Sequence, residues 1–219
     1  MILAALFDYD GTLVDSDAAH FACWNQALAA FQVAIDEDFF ATYCVGALTL
    51  DIPKQMKQLF PSISISAQAL ADEKDERYEQ WIAAQTLPLC PGVPEMLSFL
   101  ADQQVTIGIV TGAPLAGIEK TLRDHDIARF FSRIVTRESV ARGKPAPDGY
   151  LLGLQQLNLP GQAVVSFEDT RIGVLAAKAA GLRAFAIPSR FTGLHDFSAA
   201  DVVCRDMHEA RKILESEPA

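Results

Sequence analysis

The sequence predicts an α/β fold: a parallel sheet covered by helices on both faces, interrupted after its first strand by a helical insert. Three observations carry this. Short apolar runs recur along the chain, each of the kind expected for a strand buried on both sides. Helical patterns with a period near 3.6 lie between them. Residues 16–86 contain amphipathic stretches and no strand-like run.

The first apolar run covers residues 2–8 and ends in "DYDGT". The insert follows. Phe21, Trp24, Leu28 and Phe31 form one helical stripe, and "QALADEKDERYEQWIAAQ" reads as a second, largely polar helix. The prolines of "LPLCPGVP" mark the turn that ends it. Val93, Met96, Leu97 and Leu100 then share a helical face ahead of the strand run 105–112. Leu115, Ile118 and Leu122 share another, ahead of the run 133–138. Tyr150, Leu151, Leu154 and Leu157 precede the run 163–169. Thr170 is a capping residue and Gly181 a stop for the next helix, and the run 183–189 closes the series.

The totals exclude several classes. Net charge is −10 over 219 residues, half of them apolar. So acidic a chain is a poor partner for nucleic acid or an anionic membrane, and an anionic substrate needs a local cation. Cys23, Cys44, Cys90 and Cys204 are scattered without a C-x-x-C pair, as expected of reduced thiols. No stretch approaches the ~20 apolar residues of a membrane span, and Asp8 and Asp10 interrupt the first apolar run. A cytoplasmic protein, monomeric or homodimeric, is expected.

Asp8 and Asp10 are two apart, so on an extended chain they point to the same side. At the carboxyl end of a parallel strand they face the crevice where such sheets bind ligands. Gly11 allows the tight turn after them. Glu168 and Asp169 end another apolar run in the same way. If the strand ends are neighbours, the carboxylates converge, and a hard oxygen-seeking cation such as Mg²⁺ relieves their repulsion. Thr111 ends a third run with a hydroxyl, and the helix start beyond Gly112 favours an anion. Lys144 precedes proline, is therefore expected to be extended, and offers a compact charge for a phosphate oxygen. Singly, each has a plain reading: a turn, an ordinary strand end, a surface lysine, a helix cap. Together, in order, each at a strand end, they fit phosphoryl transfer.

These residues resemble the haloacid dehalogenase superfamily, in the branch of β-phosphoglucomutase and the small sugar-phosphate phosphatases. "DYDGTLVDSD" resembles the first family motif, "VTGAP" the second, "GKPAPDGYL" the third and "FEDTRIGVLAAKAAG" the fourth. The resemblance implies a Rossmann-like core, residues 1–15 and 87–219, with a helical cap, residues 16–86. It implies Asp8 as a nucleophile forming an aspartyl-phosphate and Asp10 as general acid, then base. Thr111, Gly112 and Lys144 would hold the phosphoryl group. Asp8, the backbone carbonyl of Asp10, and Asp169 would bind Mg²⁺, with Glu168 as a further ligand or a supporting partner. Relatives that are dehalogenases or phosphonatases lack an acid at the place of Asp10, so both chemistries are disfavoured. Gly112 departs from the asparagine common there, which removes a side-chain contact and leaves the backbone N–H groups.

Within the cap, His20, Trp24, Gly46 and Lys74 match positions of β-phosphoglucomutase. Trp24 also belongs to the apolar stripe, and His20 also suits a surface place. Thr49 takes the place of the arginine that holds the mutase's second phosphate. An acidic protein without that cation favours hydrolysis over the mutase reaction. The expectation is therefore a Mg²⁺-dependent phosphatase of a small phosphorylated metabolite, a sugar phosphate foremost. A hexose-phosphate mutase is the alternative, and a non-catalytic metabolite-binding protein the reading from another class. His125, His195 and His208 show no partner pattern.

Overall fold

Four consecutive apolar residues, Ala4–Phe7, form β1, and all four are buried. The computed structural model describes residues 1–47 and 51–216. The chain divides into two compact units, Ser16–Leu87 and the remainder, Met1–Asp15 with Pro88–Ala219.

Among its described residues, the regular structure of the first unit is all helical. It contains α1 (Asp17–Leu28), α2 (Glu37–Tyr43), α3 (Asp51–Leu59) and α4 (Ala67–Ala84). Asp36 and Ser66 cap α2 and α4, each side chain accepting from the backbone N–H three residues on. Of the expected stripe, Trp24 and Leu28 are buried, whereas Phe21 and Phe31 are half-buried. Phe31 lies beyond α1, in a 3₁₀ turn.

The other unit alternates. It continues with α5 (Val93–Asp102), β2 (Thr106–Val110), α6 (Leu115–Asp124), β3 (Phe131–Val135) and α7 (Asp148–Leu157). Then come β4 (Val164–Glu168), α8 (Arg171–Ala179), β5 (Arg183–Ala186), β6 (Val202–Val203) and α9 (Met207–Ser216). The strands form one parallel sheet in the order β3-β2-β1-β4-β5-β6. This is the Rossmann-like α/β arrangement, and strand order reverses at β1, where such sheets bind ligands. One face packs Leu6, Val110, Val135, Tyr150, Leu154 and Val174 into a single buried cluster. Phe7 stacks on Phe167 at 4.5 Å between ring centroids.

The strand expected at 133–138 begins earlier and stops at Val135. Thr136 and Ser139 form a reciprocal capping box that turns Arg137–Ser139 into a 3₁₀ helix. Leu115 and Leu151, placed on apolar faces by spacing, are 42% and 48% exposed. Each helix buries a narrower stripe than its sequence offers.

Candidate active site

Register brings the site together. Phe7 pairs with Ile109 on one side and Phe167 on the other. The residues just beyond are Asp8, Val110 with Thr111, and Glu168 with Asp169, all at the carboxyl edge of the sheet. The Asp8 N–H donates to Phe167 O at 3.0 Å, which extends the β1–β4 ladder to the acid itself. Tyr9 between the two aspartates is buried, and its hydroxyl donates to Thr121 Oγ1 at 2.7 Å. That anchors the strand end to α6.

Asp8, Glu168 and Asp169 are all buried and offer carboxylate atoms within 4.8 Å of one another. Lys144 stands among them, with Nζ 2.9 Å from Asp8 Oδ1 and 2.7 Å from Glu168 Oε1. Its loop is braced by a bidentate pair: Arg142 donates to Asp148 at 3.0 and 2.7 Å. Burial works against the Lys144 ammonium, but Asp8 and Glu168 outweigh it and hold its pKa above the ordinary value. Burial, with help from the Asp8 charge, pushes the Glu168 carboxyl up to about 8, opposed by Lys144 and Tyr150.

Three buried carboxyl groups therefore face one buried lysine, and a hard cation among them would favour their charged forms. The backbone leaves room for this cluster. Gly11 has φ of +71°, and a Cβ there would lie 2.2 Å from Asp169 Oδ2. Only glycine supports both the turn and the close approach. The donor set is entirely oxygen, as Mg²⁺ requires, so the residues fit that ion. Asp10 sits in the following turn, half-buried, and its carboxylate is not one of the three grouped atoms. Thr111 accepts from the Ala113 N–H at 3.0 Å, which orients its hydroxyl ahead of α6. Nothing lies within 4 Å of where a Gly112 Cβ would be, so that stretch of backbone is open.

Two contributors escape sequence reasoning. The Tyr150 hydroxyl donates to Glu168 Oε1 from a fully buried place on α7. Gly173 on α8 makes room for the same carboxylate, since a Cβ there would lie 1.8 Å from Glu168 Oε2. The available signal for Tyr150 was a polar tip in an apolar stripe; Gly173 gave none.

Within the helical unit, His20 stacks on Tyr78 at 4.0 Å. Lys74 Nζ lies 4.9 Å from the Tyr78 ring and 6.0 Å from that of Trp24. His20 and Lys74 thus gather at one tyrosine, and Lys74 also faces Trp24. Gly46, with φ of +68°, occupies the turn after α2. Thr49 lies outside the described residues. Among the described residues, no helix is long and apolar enough to cross a membrane.

Comparison with known proteins agrees with this geometry. The family model for haloacid dehalogenase-like hydrolases matches residues 5–187. The chain is 33% identical to protein CbbY of Rhodobacter capsulatus over 216 residues, covering 94% of each chain. It is 31% identical to validoxylamine A 7'-phosphate phosphatase of Streptomyces hygroscopicus over 221 residues, covering 96% of this chain and 97% of that one. Among solved structures, CbbY from Rhodobacter sphaeroides in complex with xylulose-(1,5)bisphosphate superposes with a TM-score of 0.83 at 26% identity. That match covers 95% of this chain and 96% of the other. A family match over most of the length, and relatives aligned nearly end to end, show that this chain belongs to the haloacid dehalogenase-like hydrolases.

Proposed function

We propose that this phosphoric monoester hydrolase is a Mg²⁺-dependent phosphatase of a small phosphorylated metabolite, a sugar phosphate foremost, working through an aspartyl-phosphate on Asp8. The observation that carries the reading is Lys144 Nζ, 2.9 Å from Asp8 Oδ1 beside three buried carboxylates at the strand ends. A nucleophilic carboxylate and a fixed cation for the phosphoryl oxygens then share one point. The substrate class is supported by the xylulose bisphosphate complex of one relative and the phosphatase name of another.

In this reading, Asp8 attacks phosphorus and the bond to the leaving oxygen breaks. Asp10 donates a proton to that oxygen, then takes one from the water that attacks the aspartyl-phosphate and frees Asp8. Lys144, the Thr111 hydroxyl and the backbone N–H groups from Gly112 onward hold the transferring oxygens. Mg²⁺ bound by Asp8, Asp169 and the Asp10 carbonyl, with Glu168 as ligand or supporting partner, would supply charge neutralisation. Residues 1–15 with 87–219 form the catalytic core, and 16–86 form a cap whose His20, Trp24, Gly46 and Lys74 meet the substrate.

The test is phosphate release from hexose phosphates, pentose phosphates, phosphoglycolate and a nucleotide monophosphate, with and without Mg²⁺, beside Asp8→Asn. Release that requires both Mg²⁺ and Asp8 is expected. Full activity in a folded Asp8→Asn protein would overturn the mechanism. Glucose 6-phosphate formed from β-glucose 1-phosphate faster than free phosphate would show a mutase instead.

A further inference from the structure

We propose that Tyr150 is a positioning residue whose hydroxyl locks Glu168 to Lys144, so that Glu168 serves the phosphoryl clamp while the cation is left to Asp8 and Asp169. This deepens the reading above and rests on it. It chooses between the two roles open to Glu168.

Tyr150 has no solvent exposure, and an apolar ring of similar size would fill its place on α7. A buried hydroxyl needs a partner, and this one donates to Glu168 Oε1. The same oxygen accepts from Lys144 Nζ at 2.7 Å. Two donors on one oxygen fix the direction of the carboxylate. The other oxygen, Oε2, packs against α8, 1.8 Å from where a Gly173 Cβ would be. The lysine is held from two further directions, by Asp8 Oδ1 at 2.9 Å and by the Tyr150 ring, 5.5 Å from Nζ to its centroid. Glu168 is thereby committed to α7, α8 and Lys144. Removing the hydroxyl takes one of the two restraints from Oε1. The side chain of Glu168 can then turn, and the lysine loses the fixed oxygen that aims it.

The experiment uses the full chain as wild type, Tyr150→Phe, Glu168→Gln and the double variant. Mg²⁺ is titrated calorimetrically into each protein, and inorganic phosphate into each Mg²⁺-loaded protein. Turnover is measured in parallel. Loss of a supporting partner of this kind costs about ten- to a hundredfold. Tyr150→Phe is expected to weaken phosphate binding and lower kcat by about that factor, with Mg²⁺ affinity held within about threefold. A purely structural role would lower the melting temperature and leave phosphate affinity of the folded protein unchanged. The double variant should bind phosphate no worse than Glu168→Gln alone, because the hydroxyl acts through that carboxylate.

Unchanged phosphate affinity in Tyr150→Phe would overturn the proposal. So would a Mg²⁺ affinity that falls tenfold or more, which would make Glu168 a ligand of the ion. If Tyr150→Phe fails to fold, the same two titrations on Glu168→Gln decide: weaker phosphate with unchanged Mg²⁺ supports the proposal, and the reverse overturns it. A wild type that releases no phosphate from any substrate counts against the phosphatase reading, while the titrations still judge the role of Tyr150.

Discussion

Replacing Gly11 by alanine tests whether the approach of backbone to carboxylate builds the site. Two penalties arise, and they separate. The first is conformational: φ is +71°, where a Cβ costs about 1–2 kcal/mol. The second is a collision. The new Cβ would lie 2.2 Å from Asp169 Oδ2, and ordinary contact begins at 3.4 Å, so the carboxylate must retreat by about 1 Å. Misplacement of that size in a preorganised site costs about a hundredfold in rate, equivalent to roughly 2.7 kcal/mol of activation free energy. Gly181→Ala is the matched control, with φ of +83° and nothing within 4 Å of its Cβ. Urea unfolding should show a similar loss of about 1–2 kcal/mol from backbone strain in both variants. Steady-state kinetics should show the rate loss in Gly11→Ala alone. Equal kcat/KM for the two variants would refute the argument that Gly11 is there to admit Asp169.

Three further outcomes rest on the same structure. Gly173→Ala should destabilise the fold and lower activity, although alanine favours a helix by about 1 kcal/mol over glycine, because its Cβ meets Glu168 Oε2 at 1.8 Å; thermal melting that rises instead would show the carboxylate relocating without cost. Mg²⁺ at 100 times its dissociation constant should stabilise the protein by about 2.7 kcal/mol over the chelated form, and identical melting curves with Mg²⁺ and with EDTA would argue against a cation among the three acids. Desolvation works against the charge of Asp201, yet the Lys178 ammonium and the Ala184 N–H hold its pKa below the ordinary carboxyl value. A depressed acid stabilises the fold above its unfolded pKa, about 4, and loses that contribution as pH falls through the folded value. Asp201→Asn should therefore be destabilising at pH 7, with the gap to wild type closing below about pH 4 in pH-resolved urea melts.

The sheet was legible because each buried strand is a short apolar run that stops at a polar residue with a reason to be there. Asp8, Thr111 and Glu168 could be placed from such stops alone. β6 was not legible: Val202–Val203 is two residues long, and periodicity cannot speak at that length. The end of β3 was missed because the capping box of Thr136 and Ser139 outcompetes the ladder locally. Leu115 and Leu151 were misplaced because spacing defines a stripe, whereas burial depends on what covers it. Tyr150 is the instructive case. By spacing it belongs with Leu154 in the core, and it does pack there. Its hydroxyl acts on a residue 18 positions along the chain, across the sheet edge, and no local pattern announces such a contact.

The central place of β1 also governs when the enzyme can come into being on the ribosome. Its partners are β2, reached only at Thr106, and β4, reached only at Val164. β1, which leads into Asp8, is made before both and waits for residues about 160 positions downstream. At translation rates of roughly 5–20 residues per second, that interval is on the order of 10–30 s. Until Thr106 is made, this apolar segment ending in two acids has neither neighbour, and until Val164 it has only β2. The helical unit emerges in that interval and can bury its own apolar stripe, while closing the sheet still requires ordering a long intervening chain. A nascent chain arrested before Glu168 therefore lacks both a complete sheet and two of the three buried acids, so phosphate release would serve as a late reporter of synthesis past that point.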